Sequence, residues 1–284
     1  ITMTPGMKLI VMSDMHRGDG SGADDFAQNS LIYRCALEYY FENDFTYIEL
    51  GDAEELWEND NFEQIYITHT PVYDLLAKFH DPDPEKTRYI KAWGNHDLYW
   101  KDHQDIYQSL FPGIQLYEAI VLNNSILMIH GHQADPMCSG PVAAVSQFFV
   151  NHIWADLQRG GVKDPTRAAT NPGLCNEVDE RLHKWATSND RGIAAIIAGH
   201  THRAVFENLS LTEMRLQTLR FKGEDAADLQ ARRDPHYYNS GSCVHPLSIT
   251  GLEIVIDGEI QFGLVEWFCG AEGNMITVKK EILR

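Results

Sequence analysis

The sequence predicts an α/β fold, and three observations carry that prediction. Short apolar runs of strand length alternate with longer runs of helical length, the pattern of a chain that threads a sheet and returns along its face. Five of the strand-like runs end in a cluster of Gly, Asp, Asn or His. The C-terminal part changes character and reads as successive strands joined by tight turns such as Asp257-Gly258, which predicts antiparallel pairing there.

In chain order, residues 8–13 form the first buried strand. Residues 26–43 have helical length, with Leu31, Cys35, Leu37 and Tyr39 at helical spacing. Residues 46–50 are the second strand, and 62–79 read as helix interrupted by Pro71, which cannot continue an i→i−4 ladder. Residues 89–93, 125–129 and 193–198 are further strands, and 251–256, 259–267 and 274–282 complete the set. Two segments exceed ordinary connections. Residues 133–192 hold a helix-like piece (Val142, Val145, Phe149, Ile153), a Gly/Pro-rich break over 160–173, and a second helix-like piece over 174–187. Residues 209–235 are charged and mixed, and read as a solvated excursion.

At 284 residues the chain approaches the upper size for one compact domain. A single domain over 1–284 is expected, with a helical cap inserted at about 133–192. The net charge of −18, with no basic run to offset it, argues against general binding to a nucleic-acid backbone. Cys35, Cys138, Cys175, Cys243 and Cys269 are an odd, widely spaced set without a Cys-x-x-Cys pair, so neither a disulfide framework nor a Cys-based zinc site is expected. The apolar run from Leu9 to Met12 is too short for a secretory core, and no stretch approaches the roughly 18 apolar residues of a membrane helix. A cytoplasmic location follows as the expectation, with peripheral membrane contact and oligomeric state left open.

The chemistry lies at the strand ends. Asp14-Met15-His16 follows the first, Gly51-Asp52 with Glu55 and Trp57 the second, Gly94-Asn95-His96-Asp97 the third, His130-Gly131-His132 the fourth and Gly199-His200-Thr201-His202 the fifth. Ligands in α/β sheets gather at the carboxyl ends of strands, so the five clusters are expected to converge. Carboxylate, imidazole and amide oxygen without thiolate suit divalent manganese, zinc or iron. Asp14 and His16, like His200 and His202, sit at alternate positions and meet one ion only if the backbone bends there. Asp52 has two oxygens and is suited to bridge two ions. Single pairs mean little in a chain with 13 histidines; the ordered set of five is the signal.

That set resembles the five motifs of the calcineurin-like metallophosphoesterases over residues 8 to about 205, and Asn239-Ser240-Gly241-Ser242 resembles the downstream turn of that superfamily. The resemblance implies two facing mixed sheets flanked by helices, a four-layer αββα sandwich. It implies two divalent transition ions, manganese first, with Asp14, His16, Asp52 and His202 around one. Asp52, Asn95, His130 and His200 would surround the other, with a bridging hydroxide attacking a phosphomonoester, phosphodiester or pyrophosphate. His96 would then stabilise or protonate the leaving group, oriented by Glu55, a carboxylate also suited to a helix N-terminus. Gly51-Asp52-x-x-Glu55-x-Trp57 and Gly199-His200-Thr201-His202-Arg203 are similar to the UDP-2,3-diacylglucosamine hydrolases of lipid A synthesis. Those enzymes usually have Arg where this chain has His96, and His-Gly-Asp where it has His130-Gly131-His132; His96 is more like general phosphatases and phosphodiesterases.

Two divalent ions with Asp14, Asp52 and a hydroxide leave about +1 in the crevice. Arg17 and Arg203, each next to a proposed ligand, are either donors to phosphoryl oxygens of a phosphorylated small-molecule or lipid-linked substrate, or members of surface ion pairs. His132 is either a partner of the ligand set or exposed. The cap either packs on the body or meets an acyl group. A different class of function, a non-catalytic scaffold on the same fold, would be expected to have lost ligands, and all seven positions are filled.

Overall fold

A computed structural model describes residues 1–22, 24–59, 61–135, 138, 171–187, 192–213 and 235–269, and the backbone of 276–281. The four strands β1 (Lys8–Met12), β2 (Thr46–Leu50), β3 (Tyr89–Ala92) and β4 (Leu116–Tyr117) run parallel. On the other side of β1, β11 (Ser248–Asp257), β12 (Glu259–Cys269) and β13 (Ile276–Glu281) are antiparallel. Together they form a seven-stranded sheet in the order β13-β12-β11-β1-β2-β3-β4. Glu118 alone separates β4 from β5 (Ala119–Leu122), where the chain crosses into a second sheet. That sheet adds β6 (Ile126–Ile129), β7 (Ala195–Ala198), β8 (Val205–Phe206), β9 (Leu209–Ser210) and β10 (His236–Asn239), in the order β5-β6-β7-β10-β8-β9.

The period-2 alternation of β1 builds two cores at once. Leu9 and Val11 point between the sheets, where Ile48, Leu50, Ala92 and Leu252 meet Ile120, Leu122, Met128, Ala195 and Ile197 of the second sheet. Ile10 and Met12 point the other way, toward the helices that return the chain between parallel strands. These are α1 (Ser30–Glu42), α2 (Phe62–Thr68), α3 (Thr70–Phe79) and α4 (Gln104–Leu110). In α1 the buried residues Ile32, Tyr33, Ala36, Leu37 and Tyr40 make one stripe. A further helix, α5 (Pro172–Thr187), lays Val178, Leu182 and Ala186 on Ile196, Ala198 and Tyr237 at the outer face of the six-stranded sheet. Helices, two facing mixed sheets and a helix give the four layers expected.

Pro71 divides the expected 62–79 helix in two: it occupies the first turn of α3, where its missing N–H has no ladder partner to lose. The expected 26–43 helix opens with a 3-10 turn, Ala27–Asn29, where the Asn29 side chain donates to the carbonyls of Cys243, His245 and Ser248. Of the expected cap, α5 is described and the stretch 139–170 lies outside the described residues, as do 214–234 of the second long segment. Among the described residues the cysteines are free, and no helix is long and apolar enough to cross a membrane.

Candidate metal centre

The five motif clusters do converge, at the carboxyl ends of β1, β2, β3, β6 and β7. The bend that Asp14-x-His16 and His200-x-His202 require is present as left-handed backbone. Asp14 has φ 55°, His16 50°, Asp52 51°, His200 66° and His202 54°, a region that residues with a Cβ seldom adopt. Each such residue costs roughly 1–3 kcal/mol, so the surroundings must hold them. Backbone bonds do so: Asp14 N–H to Gly51 O at 3.1 Å, His16 N–H to Asp52 O at 2.9 Å and Gly199 N–H to His130 O at 2.8 Å. The His200 N–H donates to the Asp14 carboxylate at 2.9 Å. Two glycines are needed for close approach. A Cβ on Gly94 would strike the Asp52 carboxylate and the His130 ring, and one on Gly199 would strike Ser13 and Asp14.

The side chains form two buried donor groups. In the first, Asp14, His16 and His202 lie together, with His202 Nε2 3.2 Å from Asp14 Oδ1 and 3.1 Å from His16 Nε2. The second is Asp52, His130 and His200, with His130 Nε2 3.0 Å from Asp52 Oδ2 but outside hydrogen-bond geometry. The groups adjoin: His16 Nε2 is 3.9 Å from Asp52 Oδ2, and His130 Nε2 is 4.0 Å from Asp14 Oδ1. Three imidazoles each commit one nitrogen to a protein acceptor. His16 Nδ1 is 2.7 Å from Glu55 Oε2, His130 Nδ1 2.9 Å from Leu50 O, and His200 Nε2 2.8 Å from Asp135 Oδ2. That is how ligating histidines are fixed in tautomer and orientation. Among the described residues Asn95 Oδ1 is buried without a hydrogen-bond partner, an unmet acceptor of the kind a cation satisfies. The residues present thus fit divalent ions: hard oxygens and imidazole nitrogens, oriented from behind, with one amide oxygen unspent.

Electrostatics follow from the crowding. Burial pushes the Asp14 carboxyl up, but His202 and His130 more than reverse it and hold it at about 2. Asp52, likewise buried, is held well below the carboxylate range by His130 and His96. Burial lowers His130, and Asp52 with Asp14 raise it to about 10. His132 goes the other way: burial, then the neighbouring His130 and His200, push it down to about 3, so it is a neutral buried imidazole and not an exposed one.

Glu55 sits where it serves two rings. Its Oε1 is 2.7 Å from His96 Nδ1 while Oε2 takes His16 Nδ1. Both arginines are in ion pairs, one of the two alternatives expected of them, although that of Arg17 is buried rather than at the surface. Arg17 is wholly buried, with its terminal nitrogens on Glu49 at 2.7 Å and Glu54 at 2.6 Å, and no face toward a substrate. Arg203 turns to α5, donating to Asn176 at 2.7 Å and pairing with Asp179. Sequence reasoning missed Asp135, which follows His130 by five positions, and the role of Asp97. The Asp97 carboxylate accepts the backbone N–H groups of Asp52 at 3.2 Å, Ala53 at 3.0 Å and Gly94 at 2.6 Å, tying two ligand loops together.

No family model matches the sequence, and no curated protein matches it. Among solved structures the chain is similar to vacuolar protein sorting 29 from Cryptosporidium parvum, at 13% identity, with 99% of each chain covered and a TM-score of 0.45. Neither family nor function follows from a likeness at that level, so the functional reading rests on the site.

Proposed function

We propose that the chain is a binuclear metal-dependent hydrolase of phosphoric esters or anhydrides. The observation that carries this is the pair of adjoining buried donor groups, Asp14–His16–His202 and Asp52–His130–His200. In this reading Asp14, His16, Asp52 and His202 hold one ion, and Asp52, Asn95, His130 and His200 the other; manganese, iron and zinc all suit the donors. When bound, such ions supply Lewis acidity toward a phosphoryl group and a nucleophile at neutral pH. The protein supplies the acid. Burial raises Glu55, but His96 and His16 hold it far below the carboxylate range, so it stays anionic and accepts from His96 Nδ1 at 2.7 Å. His96 then donates to the departing oxygen. A scaffold that kept only the fold would have no use for seven filled ligand positions.

The test is metal analysis joined to turnover. Purified protein should take up two transition ions per chain and hydrolyse an aryl phosphate mono- or diester with manganese. Asp52→Ala should lose more metal and more activity than any other single ligand change, because Asp52 serves both ions. One ion per chain, with full activity in Asp52→Ala, would refute the reading. A manganese-supplemented screen of monoesters, diesters, nucleotides and UDP-sugar pyrophosphates then identifies the substrate class.

A further inference from the structure

His96 is held by three consecutive residues of one loop, each through a different interaction. Glu55 takes ring Nδ1 at 2.7 Å. The Leu56 N–H donates to the His96 carbonyl at 3.2 Å. Trp57 lays its indole on the imidazole face, with ring centroids 4.3 Å apart and the planes 28° from parallel. The fourth constraint comes from His16, whose ring meets His96 edge-on at 4.6 Å and 85°. The loop is itself tied down: the backbone and side-chain N–H groups of Asn59 both donate to the Glu55 carbonyl, at 3.2 and 2.9 Å. The His96 backbone is registered to the centre by its N–H on Asp52 Oδ1 at 2.8 Å.

A single hydrogen bond to Nδ1 leaves an imidazole free to swing about that bond. A stacked indole removes that freedom, because rotation would push one ring into the other. Tryptophan is the largest planar side chain for that purpose, and Trp57 is only partly buried, so a hydrophobic core does not explain its place.

We propose that Trp57 is a positioning residue: with Glu55 it fixes the His96 ring in the one orientation that directs a proton at the leaving group. This rests on the reading of His96 as the acid, and the experiment separates the two. Full-length protein is assayed as wild type, Trp57→Leu, Trp57→Phe and His96→Ala, with an alkyl phosphate (poor leaving group) and a nitrophenyl phosphate (good leaving group), and metal content is checked in each. The His96 ring protons, assigned by their absence in His96→Ala, are followed by NMR in the metal-free proteins.

Trp57→Leu should lower turnover of the alkyl ester by about 10–100-fold relative to the aryl ester, the penalty of misplacing a reacting group by about an ångström. It should also abolish the indole ring-current shift of the His96 protons. Trp57→Phe should restore most of both. The proposal is overturned if Trp57→Leu keeps the wild-type ring-proton shifts, or keeps the wild-type ratio of aryl to alkyl turnover while His96→Ala raises it. If His96→Ala lowers turnover of both esters equally, the acid assignment falls, and with it the proton-directing role given to Trp57.

Discussion

At the scale of single residues, the centre is made by backbone that side chains ordinarily avoid. Five proposed ligands have positive φ, against six other non-glycine residues among those described, and the concentration is what an imposed geometry produces. The residues of the two donor groups were legible because each is a chemically distinctive side chain at the end of an apolar run. Asp135 was not legible: an aspartate five positions past His130 has no pattern of its own, and only the fold brings it to 2.8 Å from His200 Nε2. Its position assigns it to orienting His200, so Asp135→Asn should weaken metal binding about 10–100-fold at one of two sites. A competition titration against a chelating dye measures this; two unchanged dissociation constants would remove Asp135 from the centre. Arg17 took the ion-pair alternative, in the core rather than at the surface. Adjacency in sequence to His16 suggested adjacency in function, but consecutive residues leaving a strand face opposite ways, and Arg17 went into the core.

At the scale of elements, Arg17 explains how three ligand loops keep register. On the helix-facing side of the seven-stranded sheet, Glu49 of β2 and Lys91 of β3 are fully buried with Arg17, Glu54 and Asp97. Lys91 Nζ reaches Glu54 at 2.9 Å, Glu49 at 3.0 Å and Asp97 at 3.5 Å. Tyr89 and Trp100 add hydrogen bonds to Glu49 at 2.7 Å and Glu54 at 2.9 Å. Arg17 follows ligand His16, Glu54 precedes Glu55, and Asp97 follows His96, so each loop sends one residue up to the centre and its neighbour down into this network. Lys91→Met leaves buried carboxylates uncompensated and should destabilise by about 3–5 kcal/mol, read from denaturant unfolding of the metal-free protein.

The same network sets an acid limit. Burial raises Glu49, but Arg17 and Lys91 bring it down to about 2. A carboxyl depressed on folding contributes stability above its ordinary value near 4.5, and that contribution is lost as pH falls toward 2. Asp97, raised to about 6 mainly by burial, has the opposite sign and takes up a proton first without loss to the fold. Unfolding midpoints should therefore hold from pH 7 to about 5 and drop steeply below 4.5; a flat profile to pH 3 would contradict the pairing. Of the elements themselves, the long runs were legible, while β4, β8 and β9, at two residues each, are too short for any periodicity to register. β10 was missed because its polar ends hide Tyr237 and Tyr238, which pack on opposite faces of the sheet.

At the scale of the whole molecule, the proposed cation centre belongs to a strongly acidic chain. A net charge of −18 attracts divalent ions everywhere, so stabilisation by metal is not by itself a sign of the site. The two contributions separate by their physics. Diffuse attraction is shared by any divalent ion and fades with salt, since screening acts within about 8 Å at physiological ionic strength. Binding to the buried donors follows mass action: at a hundredfold excess over the dissociation constant each site adds about 2.7 kcal/mol, or roughly 5–10 °C in Tm for a chain of this size. Manganese should therefore raise the midpoint of the metal-free protein by roughly 10–20 °C with both sites filled, undiminished at 0.5 M sodium chloride, and EDTA should reverse it. Magnesium at the same concentration should give a smaller rise that salt removes. Asp52→Ala keeps nearly all of the surface charge but loses the residue proposed to serve both ions, so its manganese response should shrink to that of magnesium. Should Asp52→Ala respond to manganese as the wild type does, the stabilisation belongs to the acidic surface and the centre does not hold metal as proposed.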